Sequence, residues 1–369
     1  MSDLATLEAL TQSPVQLPVG WYFDPAIHAL EQKYLFDRGP GYVGHELMVP
    51  NQGDYLTLDW AGSAKALVRN ATGAELLSNV CRHRQALILK GKGNARNIVC
   101  PMHRWTYGLD GKLLGAPHFP TNPCLDLAKT PLTSWNGLLF NGQRDVATDL
   151  GGLSFKQAFD FSGYVFDRAT VTEYNFNWKT FMEVYLELYH VVPFHPGLGG
   201  FVNCDELVCE YGAHWSAQVV GMNSPLAKPG SAVYEKWQQA VRKYYGDESP
   251  PHGAIWLTYY PNVMLEWYPH TLVVSTIIPR GPEQCTNVVE FYYPEDIMYF
   301  ERDYVEAEQQ AYNETALEDE EICQRMNDGR KALYAQGLDE AGPYQSPMED
   351  GMLHFHDWAR RELEPHLAK

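Results

Sequence analysis

Two Cys and two His residues in the first third of the chain constrain its fold more than any other feature. Cys81 and His83 form a C-x-H pair, and after 16 intervening residues Cys100 and His103 form a C-x-x-H pair. Because each pair combines a thiolate with an imidazole, the four side chains can build a centre with two different metal environments. We therefore expect two ligand loops, carried by one small scaffold.

A Rieske [2Fe–2S] cluster fits these ligands, because in that cluster two Cys hold one iron and two His hold the other. A Cys₂His₂ zinc site has the same ligands, but it usually groups Cys with Cys and His with His. The mixed order of the two pairs argues against zinc. An accidental arrangement of the four residues is the remaining alternative.

The chain resembles the cluster-binding loops of the Rieske non-haem iron oxygenases in two stretches: His83-Arg84 and the run CPMHRWTYGLDGKL at residues 100–113. Met102 stands where that family usually has an aromatic residue. The departure does not affect a predicted ligand, so Cys81, His83, Cys100 and His103 remain the expected cluster ligands.

The composition excludes several classes of partner. Lys and Arg total 28 against 46 Asp and Glu, which gives a formal net charge of −18 and disfavours nucleic acid and anionic membranes. No apolar run approaches the ~18–20 residues of a membrane span, and no signal peptide is visible. The seven scattered cysteines do not form a disulfide framework, so we expect a cytoplasmic protein.

The 369 residues indicate two domains of an α+β protein. An amphipathic helix is predicted at 24–36, capped by Asp24 with Pro25 at its first position. Short β-rich runs separated by Gly, Asn and Asp follow and indicate a small antiparallel β domain at 41–150. From residue 151 onward the patterns predict helices near 177–192, 231–244 and 297–336, and strands near 215–221, 254–260, 263–268, 271–278 and 287–293.

A second candidate metal site lies in the predicted helix near 177–192. Asn177 is suited to cap this helix. Glu183, Glu187 and His190 follow at spacings of four and three residues, so we expect them to share one helical face.

A proline separates the two histidines of this segment. Pro193 is expected to end the helix, so that His195 can turn back toward His190. The pattern Glu187-x-x-His190-x₄-His195 resembles the mononuclear iron motif of the same oxygenase family. Two His and one carboxylate form the facial triad that leaves positions open for O₂ and substrate.

The third iron ligand should be an acid much later in the chain. The spacing alone does not choose it among five crowded acids: Glu314, Glu318, Asp319, Glu320 and Glu321. The resemblance selects Asp319, with Glu318 as the alternative.

Glu187 occupies the position at which the family places a carboxylate between its two metal centres. The resemblance implies that Glu187 links His103 of one subunit to His190 of its neighbour and acts catalytically in electron transfer. Such a carboxylate fixes both imidazoles through its hydrogen bonds. Glu187 bonding only a nearby residue is the alternative, and Glu183 is a weaker candidate for the bridge.

The resemblance implies the catalytic alpha subunit of a multicomponent oxygenase. Its fold would be a small Rieske domain at 41–150 and a larger helix-grip (START-like) antiparallel-sheet domain at 151–369, on which an N-terminal helical segment at 1–40 packs. Its cofactors would be a [2Fe–2S] cluster and a mononuclear Fe(II), with NAD(P)H acting through a separate reductase or ferredoxin. A homotrimer is implied, because an inter-subunit bridge requires a ring.

The sequence constrains the substrate less than it constrains the fold or the cofactors. Most members of the family carry Asp at the bridge, and the Glu found here resembles the choline and carnitine monooxygenases. We therefore expect O₂-dependent hydroxylation, N-demethylation or C–N cleavage of a small quaternary ammonium compound. Arene hydroxylation or O-demethylation of an aromatic acid is the alternative. A Rieske electron-transfer protein without catalysis is an alternative of a different class.

Overall fold

The computed structural model describes residues 16–62, 64–223, 229–245 and 248–367, which form two compact units. The smaller unit is Pro40–Gln143. The larger unit joins the described residues on either side of it, up to Gly39 and from Arg144 onward.

The smaller unit is built from short antiparallel strands, as its alternation of apolar runs and turn residues predicts. Its strands are β1 (Tyr42–His45), β2 (Asp54–Thr57), β3 (Lys65–Arg69), β4 (Ala74–Ser78), β5 (Lys92–Asn94), β6 (Ile98–Val99), β7 (Thr106–Tyr107), β8 (Leu113–Gly115), β9 (Lys129–Thr130), β10 (Thr133–Trp135) and β11 (Leu138–Phe140). They form three sheets, with the orders β5-β2-β3-β4-β9, β6-β7-β8 and β1-β11-β10.

The larger unit is organised around one seven-stranded antiparallel sheet. Its strands are β12 (Tyr164–Tyr174), β13 (Val202–Gly212), β14 (Trp215–Met222), β15 (Ala254–Tyr259), β16 (Val263–Tyr268), β17 (Thr271–Gly281) and β18 (Gln284–Pro294). Their order is β12-β18-β17-β16-β15-β14-β13. The sequence misses β12 and β13, which are the two edge strands, because polar side chains interrupt their apolar pattern.

Helices accompany this sheet. They are α1 (Pro25–Glu31), α2 (Val146–Asp149), α3 (Trp178–Tyr185), α4 (Val191–Phe194), α5 (Pro196–Phe201), α6 (Ala232–Tyr245), α7 (Glu295–Phe300), α8 (Arg302–Ala335) and α9 (Asp350–Leu363). The predicted cap of α1 is present, since the Asp24 side chain accepts from Ala26 N. The antiparallel sheets together with these helices confirm the predicted α+β class.

Two apolar clusters bury the helices against the sheet. One includes Trp237 of α6 and Tyr304 of α8, and the other includes Trp178 of α3 and Phe355 of α9. No helix in the described part of the chain is long and apolar enough to cross a membrane.

The boundary between the units falls at Gln143 rather than at the expected residue 150. The residues around α2 bond to the larger unit instead. Tyr259 Oη donates to an Asp149 carboxylate oxygen at 2.5 Å, and Trp215 Nε1 donates to the Asp149 carbonyl at 2.9 Å. Residues 16–39 also belong to the larger unit, where Asn177 Nδ2 donates to the Tyr22 carbonyl at 2.8 Å.

Candidate active site

The two Cys–His pairs lie on loops of the smaller unit that share one backbone geometry. In the first loop Gln85 N donates to the Cys81 carbonyl, and in the second Arg104 N donates to the Cys100 carbonyl, both at 3.1 Å. Gln85 and Arg104 both adopt positive φ angles, of 56° and 61°. These equivalent turns place each cysteine at the buried base of its loop.

The four predicted cluster ligands come together on these loops. The rings of His83 and His103 have their centroids 4.7 Å apart, and Cys81 and Cys100 are buried free thiols. His83 Nδ1 is buried without a hydrogen-bond partner among the described residues. Since a buried nitrogen rarely stays unpaired, this arrangement fits a cluster bound by two thiolates and two imidazoles.

Neighbouring side chains support this site. The Tyr107 hydroxyl lies 3.4 Å from Cys81 Sγ, and Trp105 stacks on His83 with ring centroids 4.9 Å apart. Burial raises the pKa of Cys81, but hydrogen bonds from Tyr107 and from backbone N–H groups outweigh it and lower the pKa. A lowered pKa favours the thiolate, which is the form that binds metals.

The segment with the second candidate site leaves its helix earlier than the sequence predicts. α3 ends at Tyr185, so Glu187 and His190 lie in the loop beyond it. The prediction that Glu183, Glu187 and His190 share one helical face is therefore wrong.

Bonds to distant parts of the chain replace the helix here. Gln218 Nε2 donates to the Leu186 carbonyl at 2.8 Å, and Leu188 N donates to the Met348 carbonyl at 2.9 Å. These partners satisfy backbone groups that a longer helix would have paired internally.

The two histidines flank α4. Pro193 does not end a helix. It lies in the first turn of α4, where backbone N–H groups have no partner within the helix, so its missing N–H costs no hydrogen bond. His190 precedes α4 and His195 follows it, and this turn brings their ring centroids to 4.9 Å.

His190, His195 and Asp319 of α8 converge on one point. One potential ligand atom from each lies within 4.8 Å of the others. Asp319 Oδ1 is 3.0 Å from His195 Nε2 and 3.5 Å from His190 Nε2. This oxygen is buried and has no well-directed hydrogen bond among the described residues. Three donor atoms that face each other in this way fit a divalent metal ion, and two His with one carboxylate form the facial-triad set.

Two further carboxylates hold the outer nitrogens of the histidines. Glu187 Oε1 lies 2.5 Å from His190 Nδ1, and its Oε2 accepts from His190 N at 3.0 Å. Glu318 Oε2 lies 2.7 Å from His195 Nδ1. Glu318, the alternative to Asp319 in the sequence, is therefore placed to orient a ligand rather than to be one.

The charges at this point favour a cation. Burial lowers the pKa of His190, but Asp319 and Glu187 outweigh burial and raise it to about 9. Burial raises the pKa of Asp319, and the two histidines reverse the shift and lower it. An environment that holds protons this firmly also attracts a metal ion in their place.

Glu183 has a different role from the one considered for it. It is fully buried, and its carboxylate contacts Tyr22, Arg330 at 2.6 Å and His356 at 2.8 Å. All three partners fix the packing of the larger unit, so Glu183 is not free to bridge two metal centres.

A cavity of about 90 Å³ adjoins the three convergent residues. On the scale at which one water needs ~10–15 Å³, it has room for roughly six to nine water-sized groups. Its walls are mostly aromatic and aliphatic, and they include Phe181, Tyr185, Leu188, Leu198, Tyr234, Trp237, Trp256, Tyr268 and Tyr312.

Two buried acids on the cavity wall escaped the sequence analysis. Glu266 of β16 is 1% exposed and Glu308 of α8 is 2% exposed. A signal for Glu266 was present, because it is a charged residue inside a buried apolar strand. Glu308 shares a helical face with Asp319, but this requires knowing that α8 begins before residue 308.

Comparison with known protein families identifies both units. Residues 40–131 match the Rieske [2Fe–2S] domain, and residues 161–364 match the ring hydroxylating alpha subunit catalytic domain. The chain belongs to the Rieske non-haem iron oxygenases. The zinc and electron-transfer alternatives are thereby set aside, and the [2Fe–2S] and mononuclear iron cofactors follow from the family.

Individual relatives are similar over nearly the whole chain. It is 59% identical over 364 residues to the putrescine 2-hydroxylase of Ralstonia nicotianae, covering 99% of this chain and all of the relative. It is 52% identical over 378 residues to the putrescine 2-hydroxylase of Bordetella bronchiseptica, covering 98% and 88%. Its identity to the chloroplastic choline monooxygenase of Beta vulgaris is 27% over 368 residues, covering 94% and 77%.

A solved structure confirms the fold. A quaternary ammonium Rieske monooxygenase superposes with a TM-score of 0.77 at 21% identity, covering 96% of this chain and 97% of that one. The predicted resemblance to choline and carnitine monooxygenases is confirmed by the sequence relatives of those names, while two relatives that share more than half of its residues are named for a diamine.

Proposed function

We propose that this chain is the terminal oxygenase that hydroxylates carbon 2 of putrescine or a similar short diamine. The observation that carries the proposal is the pair of buried acids, Glu266 and Glu308, on the wall of the cavity beside the convergent His–His–Asp residues. The identity to two putrescine 2-hydroxylases supports it.

The cavity fits a primary ammonium group better than the other substrates considered. Carboxylate oxygens accept N–H bonds, and a quaternary ammonium group has none to donate, so ring faces alone would suffice for it. An aromatic acid would need a basic side chain, and none of the described residues that line the cavity is Lys or Arg. A quaternary ammonium substrate remains the second candidate because of the aromatic walls.

We assign the predicted ligands accordingly. Cys81, His83, Cys100 and His103 would hold the [2Fe–2S] cluster, and His190, His195 and Asp319 would hold Fe(II). When bound, these groups supply single electrons and the open coordination positions that O₂ activation requires.

The chain's own residues prepare the site for this reaction. Glu187 and Glu318 lie beside the outer nitrogens of His190 and His195, and a proton held on Nδ1 would leave Nε2 of each ring for the metal. The aromatic walls limit water around the substrate. In the net reaction a C–H bond becomes C–OH with one atom of O₂, and the other atom leaves as water with two electrons and two protons.

The electrons would come from NAD(P)H through a separate reductase or ferredoxin. Glu187, which contacts His190 within one chain, would also accept a bond from His103 of a neighbouring subunit. That link would require a head-to-tail ring, and we propose a homotrimer. We also propose a cytoplasmic location, because the seven cysteines are unpaired and a reducing compartment keeps them so.

The proposal is tested with purified oxygenase, a Rieske-type reductase, NADH and putrescine under air. We expect O₂ uptake coupled to 2-hydroxyputrescine, identified by mass spectrometry against a standard. Iron and sulfide analysis with an EPR spectrum of the reduced protein checks both metal centres. Turnover of carnitine or choline with no turnover of putrescine would contradict the proposal and favour the second candidate.

A further inference from the structure

Glu266 presents a firmly oriented carboxylate to the cavity. It lies opposite Trp256 on β15 and Val273 on β17, and residues that pair across strands share one side of the sheet. Its Oε2 accepts from Tyr268 Oη at 2.7 Å, and its Oε1 accepts from Tyr312 Oη at 3.0 Å. Because a carboxylate has about four acceptor positions, both oxygens can accept a further bond from a ligand.

Glu308 adds a second carboxylate from the helical side of the cavity. Its Oε2 accepts from Tyr293 Oη at 2.5 Å, and its charge and that of Glu266 are close enough to act on each other. Glu308, Tyr312 and Asp319 follow at helical spacings on α8 and all line the cavity. At 1.5 Å per residue, Glu308 and Asp319 are about 16 Å apart along the helix, so Glu308 lies toward the end of the cavity away from Asp319.

Tyr185 adds a neutral group to the two acids. Its hydroxyl is buried and has no hydrogen-bond partner among the described residues, and the side chain lines the cavity. The charge of Glu266 reaches this hydroxyl. A buried hydroxyl is rarely left unpaired, so this oxygen is available to a ligand.

We infer that Glu266, Glu308 and Tyr185 form one site for a primary ammonium group, and that it binds the amino group farther from the carbon that is hydroxylated. This inference rests on the proposed function. An ammonium group has three N–H donors, and the three side chains offer it three oxygens. Two ionised carboxylates in one cavity repel each other, and a bound cation would offset that repulsion.

The position of the site determines which carbon reacts. In putrescine hydroxylated at carbon 2, the reacting carbon is the second from one nitrogen and the third from the other. Because Glu308 lies away from Asp319 along α8, we assign the anchored nitrogen as the farther one, for which carbon 2 is the third carbon. The carbon that reacts is then the third carbon from the nitrogen bound at the ammonium site.

The first test measures binding without turnover. Anaerobic holo-oxygenase is titrated calorimetrically with putrescine and with butylamine, for the wild type, Glu266→Gln and Glu308→Gln. We expect each variant to bind putrescine about 10- to 100-fold more weakly, the range for a lost charge-assisted hydrogen bond. Glu308→Asp should recover part of the affinity.

Glu290→Gln is the matched control. Glu290 is 2% exposed and accepts from Tyr292 Oη at 2.7 Å, which copies the Glu266–Tyr268 pair. It pairs with Val274 on β17, the residue next to Val273, so it faces the other side of the sheet. This variant should bind putrescine like the wild type. Thermal melts and the EPR spectrum show whether each variant is folded and loaded.

The second test uses regiochemistry, which a general structural defect would not change. Pentane-1,5-diamine should be hydroxylated at carbon 3, and butylamine at carbon 3 counted from its nitrogen. Glu308→Gln should give a mixture of products. Anchoring of the nearer amino group would give 2-hydroxy products from both amines and would overturn the assignment.

The outcomes separate this inference from the proposed function. Normal putrescine hydroxylation by the wild type, with unchanged affinity in folded Glu266→Gln and Glu308→Gln, would overturn the ammonium site alone. A wild type that neither binds nor hydroxylates any diamine would overturn the proposed function, and the ammonium site with it.

Discussion

The acidity of two side chains sets the chemistry of the cavity. Burial raises the pKa of Glu266 to about 7. Burial, with the charge of Glu266 added, raises the pKa of Glu308 to about 8. Both groups therefore change their charge near neutral pH, where most carboxyl groups in proteins are fully ionised.

Diamine binding should consequently strengthen as the pH rises. Only the ionised carboxylates attract ammonium, and amines with a pKa like that of Lys stay protonated well above pH 8. We predict that KM for putrescine falls between pH 6.5 and 8.5 while kcat changes less. The measurement is a set of initial rates across this range. A wild-type KM that does not change with pH would contradict the prediction. So would the same pH dependence of KM in the double variant Glu266→Gln/Glu308→Gln.

Glu318 gives a second prediction for a single residue. Its bond to His195 Nδ1 orients a metal ligand, and loss of such a partner typically weakens metal binding about 10- to 100-fold. Glu318→Ala should therefore lose iron faster to a chelator, with the [2Fe–2S] EPR signal unchanged. Glu321→Ala, three residues along α8 on its exposed side, is the control and should keep its iron.

Among the elements, α8 contributes side chains to three places. It supplies Asp319 to the metal site, Glu308 to the cavity and Arg330 to the buried Glu183. Because these residues belong to one helix of 34 residues, the spacing between Asp319 and Glu308 does not depend on loops.

The contact between α3 and α8 should make the fold sensitive to acid. Burial raises the pKa of Glu183, but Arg330, His356 and Tyr22 outweigh it and lower the pKa to about 2. A lowered pKa stabilises the fold above the unfolded value of 4.5, and the effect is lost as pH falls toward 2. The shift corresponds to about 3 kcal/mol.

Glu183→Gln should therefore unfold more easily at pH 7, by about 3–5 kcal/mol, since Arg330 loses a buried partner. The difference from the wild type should shrink below pH 4. Urea unfolding at pH 7, 5 and 3 measures this. A difference that does not change with pH would show that the loss of the Glu183 charge is not its cause.

The same elements show how far the sequence predicts the structure. Local signals place the capped start of α3, the inner strands and the cluster loops, because spacing and turn residues specify them directly. The end of α3 was missed because Gln218 and Met348, both remote in sequence, satisfy the backbone there. The ammonium site was missed because Glu266 and Glu308 meet only when β16 and α8 pack together.

At the scale of the whole molecule, the residues assigned to the two metal centres lie in different units. Cys81, His83, Cys100 and His103 lie in the smaller unit, and His190, His195 and Asp319 lie in the larger one. Electrons must pass from one unit to the other, either within a chain or between chains. We propose the second route, through Glu187.

Mixed assemblies distinguish the two routes. Cys100→Ser removes the cluster, Asp319→Ala removes the iron, and each homogeneous variant should be inactive. Co-expressed in equal amounts they should recover up to about a quarter of wild-type activity, since one neighbouring pair in four combines an intact cluster with an intact iron site. No recovery in verified mixed assemblies would indicate transfer within one chain. Glu187→Ala should keep the [2Fe–2S] cluster and lose coupled turnover even when its iron site is fully loaded.

The two buried acids also affect how long the folded enzyme lasts. Their raised pKa values mean that ionising them opposes folding, by on the order of 3–5 kcal/mol each once the pH exceeds both values. Below about pH 4.5 the penalty disappears. A bound diamine would offset it, so putrescine should raise Tm more at pH 8.5 than at pH 5.5. The supply of the amine would then govern the survival of the folded chain as well as its rate of turnover.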